Sequence, residues 1–162
     1  MLDRSDRELA GTLGDTDVSW PGRRVGASAV IVDDQERVLL VRHTYGPLDW
    51  HIPGGASEPA ESVVESALRE LREETGIEAF AESLTGIHWN AERDAHLFVF
   101  RCRPRDDRDP VPSSPEISAC AFWPRDNLPR PITDFTVRRI EDALTAAPQL
   151  LRIAVPAPTL LS

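Results

Sequence analysis

The stretch 54-GGASEPAESVVESALRELREETGI-77 carries six glutamates, and the last three, Glu70, Glu73 and Glu74, fall within five residues. Val64, Ala67, Leu68 and Leu71 recur at three- and four-residue intervals, the spacing of one apolar stripe on a helix. Pro59 suits a first turn and Gly76 a stop, so the pattern predicts a helix that ends at Gly76. At about 100° per residue, Glu70, Glu73 and Glu74 share a side away from that stripe. Carboxylates so placed raise one another's pKa unless something positive sits among them, and a hard divalent cation, Mg²⁺ first, is an economical solution. The competing explanation is the wet side of an amphipathic helix, with Glu65 and Arg69 an exposed pair four residues apart.

Upstream of the helix, VGASAVIV is rich in β-branched residues, DDQE supplies a polar turn and VLLVRH resumes the apolar run. These predict strands at 25–32 and 37–43. TYGPLDWHIPGG, 44–55, is broken by Gly46, Pro47, Pro53 and the Gly54–Gly55 pair and reads as a loop with at most a short strand. Downstream, strands are expected at 83–89, 95–102 and 117–123, separated by a charged, proline-rich loop at 103–116. A final helix over 134–146 follows from Phe135, Val137, Ile140 and Leu144, capped by Thr133 or Asp134. This order implies an α/β layered domain, a mixed β-sheet with helices on its faces. The organisation is then an N-terminal arm, 1–24, with a short helical pattern around Leu2, Leu9 and Leu13, a domain, 25–146, and an apolar C-terminal tail, 147–162. The tail packs either on the domain or on a second copy in a homodimer, small oligomers being mostly two-fold.

A chain of 162 residues suits one domain with a full core, and 41% hydrophobic with 28% charged residues is the balance of a soluble globular protein. The formal net charge of -9 argues against general nucleic-acid binding, which neutralises phosphates with Lys and Arg. An anionic substrate would need cations as intermediaries. The first residues are charged and no apolar run approaches the ~20 residues of a membrane span, so a cytoplasmic location is expected. Cys102 and Cys120 are too few for a disulfide framework or a zinc knuckle, and read as reduced strand residues.

Gly55, five residues, Glu61, seven residues, Arg69-Glu70-Leu71, one residue, Glu73-Glu74, one residue and Gly76-Ile77 resemble the Nudix box, G-x5-E-x7-R-E-U-x-E-E-x-G-U with U aliphatic, at every fixed position. The resemblance extends to HIPGG before the box and ISACAFWPRDNLP after it, covering roughly residues 25–145. It implies a Nudix hydrolase with an α/β/α sandwich, using Mg²⁺ or Mn²⁺ to cleave a diphosphate linked to another moiety, commonly a nucleoside. Position by position, Glu73, Glu74 and the Gly54 carbonyl match metal ligands and Glu70 a ligand or the general base. Arg69 matches a residue that orients a carboxylate, and Glu61 a supporting residue beside Gly55. Glu116, in a later loop, is the candidate for the acid that completes the metal site or acts as base. A non-catalytic nucleotide sensor on the same fold is the alternative function, although such relatives typically lose box carboxylates and all are present here.

Arg42, His43, Tyr45 and Trp50 lie just before the box, where a cation and aromatic rings could hold phosphate and a base; the alternative, above all for Trp50 and Tyr45, is a strand end with packed aromatics. His51 reads as a structural hydrogen-bonding residue rather than a proton carrier, and WNAERD, 89–94, either as a loop lining the substrate pocket or, more simply, as a solvated hairpin. The resemblance also implies subgroup markers that are missing: 78–103 holds neither the proline common in the family's ADP-ribose hydrolases nor the tyrosine of its dinucleoside polyphosphate hydrolases. A small nucleoside di- or triphosphate derivative is therefore the expected substrate.

Overall fold

The computed structural model describes residues 24–91, 93–145, 151–155 and 159–161. The expected arm, 1–24, lies outside the described residues except for its last position. In chain order the strands are β1 Arg24–Ile31, β2 Arg37–His43, β3 Trp50–His51 and β4 Gly54–Ala56. Helix α1, Val63–Thr75, is followed by β5 Ala79–Asn90, β6 Ala95–Pro104, β7 Ile117–Pro124 and β8 Ile132–Thr133. Helix α2, Asp134–Leu144, precedes β9 Leu151–Val155 and β10 Leu160–Leu161.

The strands form two five-stranded mixed sheets, ordered β4-β1-β6-β5-β9 and β10-β8-β3-β2-β7. The α/β class is as expected, but the strands divide between two sheets where the sequence reading had one. The division falls at the DDQE turn. Val32 and Val38 still bridge there, after which β1 pairs in parallel with β6 and β2 runs antiparallel to β7.

Both β1 and β2 are buried on two sides, which explains their nearly unbroken apolar sequences. Alternate residues serve different cores, as the two-residue strand period requires. Ala27, Ala29, Ile31 and Leu39 pack with Ala67 and Leu71 of α1, whereas Val30, Val38 and Leu40 pack with Ile140 and Ala143 of α2. Each buried Leu, Ile or Val stabilises the fold by about 1.5–3 kcal/mol relative to exposure.

Helix α1 starts later than Pro59 suggested. Pro59 and Ala60, whose φ is +65°, lie in a turn, and the helix begins only where Ser62 supplies a cap. The Ser62 side chain accepts from the Glu65 N–H at 3.2 Å while the Glu65 carboxylate accepts from the Ser62 N–H at 2.8 Å. Gly76, with φ +71°, ends the helix by donating its N–H to the Arg72 carbonyl at 2.8 Å. Thr133 caps α2, accepting from the Thr136 N–H at 3.1 Å.

The described part of the apolar tail joins the domain: β9 runs parallel to β5 and β10 antiparallel to β8. Cys102 and Cys120 are free thiols on β6 and β7. Among the described residues, no helix is long and apolar enough to cross a membrane.

Candidate active site

Small residues on β1 let the segment that precedes α1 come close. Ser28 and Ala27 pair with Gly54 and Gly55 of β4, and the Ala29 N–H donates to the Pro53 carbonyl at 2.9 Å. A Cβ on Gly54 would lie 2.4 Å from the Ala27 carbonyl oxygen and 2.5 Å from Ser28 Oγ, so only glycine fits. A Cβ on Gly55 would lie 2.5 Å from Glu70 Cδ and Oε1. The Gly-Gly pair is thus a backbone floor on which a box carboxylate rests.

Glu74 takes the Gly54 N–H on its Oε2 at 3.1 Å, and His43 Nε2 lies 3.6 Å from its Oε1. Arg69 holds the outer carboxylates. Its Nε and Nη2 donate to the two Glu61 oxygens at 2.8 and 3.1 Å, and its Nη1 to Glu70 Oε1 at 2.8 Å and Glu73 Oε2 at 3.1 Å. The positive group among the carboxylates is therefore this guanidinium, which also donates to the Ala56 carbonyl at 3.1 Å.

These partners set the proton affinities. The Arg69 guanidinium, with help from the Glu58 N–H and Ser66 hydroxyl, holds Glu61 down at about 2. Burial pushes Glu70 up, Arg69 opposes the rise, and the neighbouring Glu74 and Glu73 charges add to it. Arg69 itself is pushed up, first by its bond to Glu61. Two acids nine residues apart thus titrate in opposite directions, one paired and one desolvated.

The expected residues before the box separate. His43 and Tyr45 reach the rim: their rings stack with centroids 5.0 Å apart and 7° between planes, and His51 stacks on the other side of His43 at 5.0 Å. Tyr45 is 55% exposed, and its hydroxyl lies 3.5 Å from Glu116 Oε2. Glu116 is brought to this rim because the Thr44 N–H donates to its carbonyl at 2.8 Å, but it makes no hydrogen bond to the box acids. Arg42 spends its Nε on the Leu48 carbonyl at 2.8 Å, bracing the loop.

Trp50 has the packed position that was the alternative to substrate contact. It is 8% exposed and packs edge-on to Trp123 at 5.4 Å in the α2-side core, because strand alternation turns it inward while its neighbour His51 faces the rim. His51 has the structural bond expected of it, to Asp49 Oδ1 at 2.9 Å, and its proton affinity is lowered to about 4, first by burial.

Two further groups were missed. Ser28 lies directly beneath Gly54, and Arg139 on α2 reaches Ser28 Oγ with Nη1 at 3.4 Å. The available signal was a cation at the inward spacing of α2, four residues after Phe135 and three after Thr136.

The donor chemistry fits a hard cation. Glu70, Glu73, Glu74 and the Gly54 carbonyl are all oxygen donors, and the Gly55 cradle that a Cβ would fill is occupied by one of those carboxylates. Among the described residues, no three His, Cys, Asp or Glu side chains are already gathered as a cage, since Arg69 draws Glu70 and Glu73 toward itself.

The model of the NUDIX domain matches residues 22–143 of the chain. A "MutT-like protein" of Streptomyces ambofaciens is 31% identical over 129 residues, covering 80% of this chain and 82% of that protein. The human "8-oxo-dGDP phosphatase NUDT18" is 31% identical over 108 residues, but these are 64% of this chain and only 33% of that protein. Among solved structures, a "UDP-X diphosphatase" superposes with a TM-score of 0.70 at 28% identity, covering 94% of this chain and 76% of that one.

Proposed function

Since this chain belongs to the Nudix family, hydrolases of diphosphate bonds, we propose that it cleaves a nucleoside diphosphate linked to another group, X, with the help of Mg²⁺ or Mn²⁺. The observation that carries the reading is the Gly54–Gly55 floor, where the Glu70 carboxylate and the Glu74 anchor meet at one backbone turn. The names of the similar proteins, a UDP-X diphosphatase and an 8-oxo-dGDP phosphatase among them, support a nucleotide substrate.

Glu70, Glu73, Glu74 and the Gly54 carbonyl would hold the divalent cation, which when bound neutralises phosphate oxygens and makes water more acidic. Arg69 keeps Glu70 and Glu73 from collapsing onto other donors and ties both to Glu61. Glu70, resting on the glycine floor and paired with Arg69, and Glu116 at the rim are the two candidates for the general base. Glu116 sits against Tyr45 at the rim, where it could also contact substrate. The exposed Tyr45 ring, backed by His43, offers a face on which a nucleobase can stack. The substrate is a small molecule.

The test is nucleotide release from a panel of nucleoside triphosphates, nucleotide sugars, ADP-ribose and dinucleoside polyphosphates, with Mg²⁺, with Mn²⁺ and with chelator. Turnover of one group, abolished by chelator and lowered by orders of magnitude in Glu73→Gln and Glu74→Gln, is the expected result. Turnover that ignores both chelator and these substitutions would overturn the assignment.

A further inference from the structure

Building on that reading, we propose that the wall of the site opposite the box carboxylates is a cationic subsite, formed by Arg139 and Arg93, which selects substrates whose X group carries an anionic substituent, a carboxylate or a phosphate.

Arg139 projects from α2 and is 6% exposed. Among the described residues it reaches only neutral partners: Ser28 Oγ at 3.4 Å, Thr136 Oγ1 at 3.3 Å and the Phe135 ring at 4.4 Å from its centroid. Its Nε has no hydrogen-bond partner among them. Among the described residues, no carboxylate stands within ion-pair distance of it. Asp142, three positions on along the helix, faces His88 at 3.9 Å, and Asp49 is engaged by His51 at 2.9 Å. A buried guanidinium held by long bonds to hydroxyls retains most of its desolvation cost, which an anion close by would offset.

The position of this charge ties it to the site. Ser28 pairs with Gly54 across β1 and β4, so Arg139 approaches the Gly54 seam from the α2 side as Glu74 approaches it from α1. Arg93 lies on the β5–β6 turn, exposed, and forms no ion pair among the described residues. The Asn90 side chain fixes the turn by accepting the Arg93 N–H at 3.1 Å, and the Arg93 charge is felt at both Arg139 and Tyr45. The Gly54 seam therefore has acidic groups on its α1 side and a basic group on its α2 side. A cation-bound diphosphate satisfies the first, and a second negative group on X satisfies the other, because a charge behind low-dielectric protein is felt over several ångströms.

The experiment uses three substrates that release the same nucleotide: UDP-glucose, in which X is neutral, UDP-glucuronate, which adds a carboxylate, and UTP, in which X is phosphate. If the panel above favours another nucleoside, its equivalents replace them. The wild type is expected to prefer at least one charged member over the neutral sugar by about tenfold in kcat/KM, and which member wins separates carboxylate from phosphate. Arg139→Met and Arg93→Gln are each expected to lower that ratio about tenfold, and Arg139→Lys to restore part of it. Arg93 is exposed, so its variant reports even if Arg139→Met fails to fold. Equal use of charged and neutral X by the wild type, or a ratio unchanged in Arg93→Gln and in folded Arg139→Met, would overturn the subsite while leaving the hydrolase reading intact. Silence with every nucleotide would overturn both.

Discussion

The Glu70 carboxylate occupies the space in which a side chain on Gly55 would have to lie, with Cδ and Oε1 each 2.5 Å from a Cβ built there. The first glycine of the box is thereby explained sterically: it is the surface against which an acid is desolvated. Gly55→Ala must push Glu70 outward, since the opposing atoms belong to a side chain already held by Arg69 at 2.8 Å. The expected outcome is a loss of about 1–3 kcal/mol in stability together with a fall in kcat much larger than that loss implies. Thermal unfolding and steady-state turnover on one preparation check it, and full activity would mean that the position of Glu70 is not critical.

Glu70→Gln separates stability from chemistry. Burial is the first cause of the raised proton affinity of Glu70, so at neutral pH its charge is less welcome in the folded state than in the unfolded one. Glutamine has the same shape and can still accept from Arg69. The variant is expected to melt at the same temperature as the wild type or higher without divalent cation, to gain less on adding Mg²⁺, and to lose turnover by orders of magnitude. A lower melting temperature without cation would show that the Arg69 pair outweighs desolvation.

Much of this site was legible from residue spacing. The helix face, the Gly76 stop and the shared side of Glu70, Glu73 and Glu74 follow from a three-to-four period acting over one short segment, whereas the roles of Glu61, which precedes the helix, and Arg69 followed only from the match to the box. What failed depended on contacts distant in sequence or on a choice between local signals. Pro59 was read as the helix start although Ser62 and Glu65 form the capping box, because both are plausible local starts and only the Ala60 backbone decides between them. Trp50 was left open between substrate contact and packing because a two-residue strand is too short to reveal its inward period. Arg139 could be recognised only after α2 was placed behind β1, at a separation of 111 residues from Ser28.

Glu61 should leave a pH signature. Its folded pKa is depressed to about 2 by Arg69, so its contribution to stability is fully present above its unfolded value near 4.5 and is lost as pH falls toward 2. Glu61→Gln is therefore expected to be less stable than the wild type at neutral pH, and the difference should shrink as the pH falls through that window. Denaturant unfolding at a series of pH values between 2 and 7 tests this on about the same scale. A difference independent of pH would assign the loss to packing or to Ser66 rather than to the ion pair.

The two aromatic residues before the box should behave oppositely. Tyr45 is 55% exposed, stacked on His43 and with its hydroxyl 3.5 Å from Glu116, so Tyr45→Ala is expected to change stability by no more than about 0.5 kcal/mol. If the ring stacks on the base, its removal costs about 1–3 kcal/mol of binding, seen as a roughly 5- to 100-fold rise in KM with little change in kcat. Trp50 is 8% exposed against Trp123, Ile132 and Ile140, and Trp50→Ala is expected to cost about 3–5 kcal/mol of stability, with KM preserved in whatever fraction stays folded. Melting curves and Michaelis constants for both variants decide the matter. A KM that rises in Trp50→Ala but not in Tyr45→Ala would place the base on the inner side of β3, and would return Trp50 to the substrate.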